Sequence, residues 1–112
     1  MHMYVLEVHD NDTRSRPLDV MWDFFDADSV TVIDARHDNP TPREGRPCEK
    51  CDYMGGLIVF RDAKEHLRYG IFQIWRESAT RYTIHLVTDD KTDFAEFDKV
   101  LGTGVKVLEE EL

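Results

Sequence analysis

The chain has 112 residues, 41% of them hydrophobic, and carries 23 acidic against 14 basic side chains for a net charge of −9. That length sets the expectation of one domain over residues 1–112 with one core. The charge repels phosphate backbones and anionic headgroups, which argues against direct nucleic-acid or membrane-surface binding and favours a basic protein partner.

No apolar run reaches the roughly 18 residues that cross a bilayer, and MHMYVLEVHD lacks the basic start and apolar centre of a secretion signal. The expected location is therefore the cytoplasm, where reduced thiols are the default.

In chain order, MYVLEVH (residues 3–9) is rich in strand formers and nearly continuous in apolar character, as a strand covered on both faces is. After a polar stretch, Pro17 suits a first helical turn. Leu18, Met21, Trp22 and Phe25 then recur at helical spacing and predict a helix over about 16–27 with that stripe inward. Asp19, Asp23 and Asp26 keep the same spacing on the outer side. VTVIDAR (residues 30–36) predicts a second strand, and strand, helix, strand at this length suggests a crossover between neighbouring parallel strands.

Residues 38–56 hold three prolines and three glycines and predict a long irregular segment over 37–56. GLIVFRD, YGIFQIWRE and YTIHLVTDD follow, dense in β-branched and aromatic residues and separated by short polar breaks, as in an antiparallel meander. Trp75, like Trp22, is expected in or at the edge of the core, and His85 on a solvent-facing strand position. Asp90 or Thr92 is placed to cap a second helix with Phe94, Phe97 and Leu101 inward, and GVKVLEEEL supplies a last strand. The expected fold class is α+β: about six mostly antiparallel strands, two helices and a long Pro/Gly/Cys loop.

Cys48 and Cys51 have the spacing that lets two thiolates from one turn take two corners of a zinc tetrahedron. The remaining corners fall to His37 with His9 or His66. His9-Asp10-Asn11 and His37-Asp38-Asn39 each close a predicted strand, so neighbouring parallel strands would bring both histidines to one end of the sheet. A redox role is disfavoured, because no helix follows Cys48 to lower its pKa and Glu49 and Asp52 oppose a thiolate.

There is no G-x-S-x-G, no phosphate-cradling loop and no H-E-x-x-H. The leading expectation is a non-enzymatic acidic binding protein that meets a basic, nucleic-acid-binding surface of a protein partner, in the manner of an inhibitor or immunity protein. Its contact residues are Asp19, Asp23 and Asp26 with Asp89, Asp90, Asp93 and Glu96. The alternative is a small zinc protein, structural or hydrolytic, built on Cys48, Cys51, His37 and His9 or His66.

Overall fold

The structure is a computed structural model that describes residues 1–9, 16–36, 52–94, 97 and 105–111. It holds strands β1 (His2–His9), β2 (Ser29–Arg36), β3 (Tyr53–Arg61), β4 (Leu67–Arg76), β5 (Arg81–Thr88) and β6 (Val105–Glu111), with helix α1 (Pro17–Phe25) between β1 and β2. The six strands form one sheet in the order β2-β3-β4-β5-β1-β6, and every neighbouring pair is antiparallel.

The meander is formed as its sequence predicts. In β5, Tyr82, Ile84, Leu86 and Thr88 are buried while the residues between them are not, the period of two expected of a sheet with one covered face. β1 behaves likewise: Tyr4, Leu6 and Val8 are buried and Glu7 and His9 exposed, so its near-continuous apolar run is fully covered on one face only.

β1 and β2 do run in the same direction, but β5, β4 and β3 lie between them, which corrects the expectation of neighbouring strands. The two are four strand spacings apart, about 19 Å.

α1 starts where the sequence places it. The Arg16 backbone N–H and guanidinium both donate to the Asp19 carboxylate, at 3.2 and 2.9 Å, closing the first turn. It stops at Asp26, whose φ of 47° and ψ of 51° are left-handed, a conformation that aspartate tolerates better than most residues. The buried face is Pro17, Val20, Met21, Phe24 and Phe25 rather than Leu18, Met21, Trp22 and Phe25. Trp22 is 39% exposed. Fully burying Val20, Met21, Phe24 and Phe25 against the sheet contributes about 2 kcal/mol each as an upper bound, which outweighs the gain from covering one tryptophan.

The second helix is not found among the described residues: 91–94 are irregular and Phe97 alone has 3₁₀ geometry. Two of its apolar positions, Phe94 and Phe97, nevertheless serve the core, while Leu101 lies outside the described residues. Phe97 meets Phe24, Phe25 and Phe60 with ring centroids 5.4, 5.7 and 6.1 Å away, and Phe94 meets Tyr4 at 5.1 Å. Thr92, read as a cap, instead donates its N–H to the buried Tyr4 hydroxyl at 2.9 Å. Burial pushes that hydroxyl's pKa up, against the lowering effect of the Thr92 bond.

Of the predicted loop over 37–56, residues 53–56 are the start of β3 and 37–51, including Cys48 and Cys51, lie outside the described residues. Two glycines in a strand are tolerated here because the Tyr53 side chain lies over Gly55 and the β2 backbone presses against Gly56. Among the described residues no helix is long and apolar enough to cross a membrane.

Candidate functional site

The acidic residues singled out in the sequence divide by role. Asp19 is taken up by α1 itself: besides the two bonds above, Arg16 Nη2 donates to its Oδ1 at 3.2 Å. The Arg16 side chain holds the Asp19 carboxyl below the ordinary carboxylate range. Asp93 is likewise engaged in folding. Its N–H donates to Asp62, its carbonyl accepts from Ala63, and its carboxylate lies 3.7 Å from Lys64 Nζ.

Asp23, Asp26, Asp89 and Asp90 remain exposed. Glu96 lies outside the described residues.

Chain direction brings these exposed groups toward one end of the sheet. α1 delivers Asp26 to the start of β2, where Asp28 donates its N–H to the Val59 carbonyl near the finish of β3. Asp89 and Asp90 follow directly on β5, which finishes at that same end, since Thr88 pairs with His2 and with Gly70. At this end Asp62 ties the β3–β4 turn to the segment after β5.

Asp62 is a residue the sequence reading passed over. It is 3% exposed, and its Oδ1 accepts the N–H groups of Lys64 and His66, each at 2.9 Å. Its Oδ2 accepts that of Asp93 at 3.3 Å and lies 3.6 Å from Arg68 Nη2. Burial pushes the Asp62 carboxyl up, but the three backbone donors and the Arg68 charge outweigh it and hold the carboxyl below the ordinary range. The signal available in the sequence was an aspartate directly after a strand, the pattern of an Asx turn.

For the zinc reading, Cys48, Cys51 and His37 lie outside the described residues. His9 is exposed where β1 finishes. That is also the end at which Arg36 and Asp52 meet through an N–H to carbonyl bond of 3.1 Å, the entry and exit of the predicted loop. His66 stands at the other end, in the β3–β4 turn, with Nδ1 3.3 Å from Arg68 Nη2. One ion therefore does not take both His9 and His66, which are separated by the length of a strand. Among the described residues no group of three or more histidine, cysteine, aspartate or glutamate side chains is placed to hold a metal. Asp34, on β2, is paired with Arg36 at 2.7 Å.

The other face of the sheet holds a run of stacked side chains. Arg36 lies over the Tyr53 ring at 5.7 Å, Tyr53 meets Trp75 at 5.3 Å, and Trp75 meets His85 edge-on at 4.8 Å. The Gln73 side-chain amide donates to the Tyr53 hydroxyl at 3.1 Å. Trp75 is thus on the face away from α1, a correction to its expected place, and His85 is half-buried beside it rather than freely solvated. Fold and surface together define a small α+β domain whose antiparallel sheet is covered on one face. No protein family, no curated protein and no solved structure matches the chain.

Proposed function

We propose that the chain is a non-enzymatic binding protein that sets carboxylates at one end of its sheet against a basic surface of a protein partner, as an inhibitor or immunity-type protein would. The observation that carries this reading is that two sequence-distant acidic groups, Asp23 and Asp26 from α1 and Asp89 and Asp90 after β5, lie toward the same end of the sheet. Both groups sit on anchored backbone, so their charges are offered with little ordering cost at encounter. On a partner that binds nucleic acid, carboxylates so held occupy positions where phosphates would otherwise lie.

The test is a variant carrying Asp23→Asn, Asp26→Asn, Asp89→Asn and Asp90→Asn, with Asp19 and Asp93 kept because they serve the fold. Asparagine at 26 also tolerates the left-handed conformation of the helix stop. This variant is expected to melt within a few degrees of wild type. It should lose capture of basic nucleic-acid-binding proteins from native-host extract, and its association with the captured partner should slow at least tenfold at low salt with a flatter salt dependence. Superimposable association rates at two ionic strengths for variant and wild type would remove the reading.

A further inference from the structure

We propose that the sheet face opposite α1 carries a saccharide-binding cleft at the end where β1 finishes. It lies between Arg36, Tyr53, Gln73 and Trp75 and has a volume of about 370 Å³, at the lower end of the range for small-molecule sites. The register places it. Arg36, Tyr53 and Trp75 stand opposite one another across β2, β3 and β4, and Asp34, Gly55, Gln73 and His85 form the next row on the same face. Gly55 is the gap in that second row. With no Cβ there, the Tyr53 ring leans over it until its hydroxyl oxygen stands 2.8 Å from where that Cβ would be, and Gln73 Nε2 donates to the same oxygen at 3.1 Å. Trp75 is flanked on its other side by His85, edge-on at 4.8 Å, so the Tyr53 and Trp75 rings make an angled wall, 49° apart, that is already in place before any ligand arrives.

The polar edges of this wall are left over. Among the described residues, the Tyr53 O–H, the Gln73 side-chain carbonyl, the Trp75 indole N–H and both ring nitrogens of His85 make no hydrogen bond. Donors and acceptors therefore border the aromatic surface together.

That combination selects the ligand. A sugar ring packs its C–H face on an aromatic ring, and each of its hydroxyls both donates and accepts, which is what a border of mixed donors and acceptors answers. A nucleotide is opposed by the net charge of −9, which repels phosphate. A cationic ligand is opposed by Arg36, whose guanidinium already stands 5.7 Å from the centre of the Tyr53 ring. A wholly apolar ligand would strip water from the unpaired polar edges and give nothing back. An uncharged ring edged with hydroxyls meets all three conditions. The cleft lies at the opposite end of the sheet from Asp89 and Asp90, which makes this inference independent of the function proposed above.

Titration of ¹⁵N-labelled protein with maltohexaose, cellohexaose, chitohexaose and mannohexaose, each to about 10 mM, tests it by NMR. The expected result is saturable binding of at least one of them with a Kd of roughly 0.1–1 mM, as suits a shallow site, and with no change between low and high salt because the ligand is uncharged. The indole N–H resonance of Trp75 should move and that of Trp22, on α1, should stay. Trp75→Ala is expected to weaken binding at least tenfold and Gln73→Ala about fivefold, whereas Asp89→Asn with Asp90→Asn leaves it unchanged. Should Trp75→Ala not fold, Gln73→Ala, at an exposed position, reads the same cleft. The absence of saturable binding by all four sugars, binding that the folded variants keep in full, movement of the Trp22 resonance alone, or tighter binding of adenosine monophosphate than of every sugar overturns the inference.

Discussion

Gly56→Ala is expected to destabilise the protein by about 3 kcal/mol or more, lowering the melting temperature by roughly 10 °C. A Cβ at this position would stand 1.9 Å from the Thr31 carbonyl oxygen and 3.1 Å from the Val32 Cα. Those are backbone atoms, so no rotamer change makes room. The close approach arises because Gly56 pairs with Val32 just before the register of β2 shifts between Val32 and Asp34, a bulge that drives the β2 backbone onto β3. Alanine must push β2 outward, and α1 rests partly on β2 and on the Val30 and Val32 side chains.

Gly55→Ala is the contrast. Its nearest neighbour is the Tyr53 hydroxyl at 2.8 Å, the far end of a side chain that can move, and the expected cost is about 1 kcal/mol from the lost Gln73 bond. Chemical denaturation of both variants decides the matter. Equal, small losses for the two would mean that β2 yields freely.

How far the sequence could be read follows from which contacts are local. The meander and the approximate helix bounds were legible because the period of two, and Pro17 ahead of apolar residues at helical spacing, are written within a few residues of one another. The inward face of α1 was not, because Pro17-Leu18-Asp19-Val20-Met21-Trp22-Asp23-Phe24-Phe25 contains two overlapping apolar stripes, and only the sheet against which it rests chooses Val20 and Phe24 over Leu18 and Trp22. Phe94 and Phe97 were recognised as core residues although no helix carries them among the described residues. Burial follows the size of the side chain, whereas the Thr92 hydroxyl, the group that would cap a helix, donates instead to Thr88 Oγ1 at 3.5 Å.

Sheet order was hidden altogether, since nothing in the MYVLEVH segment says that it will lie between the last two strands of the chain. The candidate acids were found by spacing. Which of them serve the fold depended on partners, Arg16 for Asp19 and Lys64 with Asp62 for Asp93, and the Asp62 partnership spans 31 residues.

Removing the Asp62 carboxylate is expected to cost about 3 kcal/mol at neutral pH as Asp62→Ala and about half of that as Asp62→Asn. Three backbone N–H groups in or beside the β3–β4 turn lose their acceptor in the first case, and the charge-assisted part of those bonds is lost in the second. The turn has no substitute, because Glu65 within it holds a φ of 66° that only a well-tied loop keeps in a residue other than glycine. Asp62 also fixes Arg68 beside it and, through Asp93, the course of the segment that leads Phe94 and Phe97 into the core.

The effect carries a pH signature of known sign. The folded carboxyl of Asp62 lies below its ordinary value, so its contribution to stability is complete above the unfolded pKa of about 4 and is lost as the pH falls through the lower folded value. The stability gap between wild type and Asp62→Asn, measured by urea denaturation at pH 7, 5 and 3, should therefore hold steady between 7 and 5 and narrow at 3. Other carboxylates titrate in both proteins and cancel in that difference. A gap that stays constant to pH 3 would show that an uncharged acceptor holds the turn as well as the carboxylate does, and would leave the shape of the side chain, not its charge, as what ties the β3–β4 turn to the segment after β5.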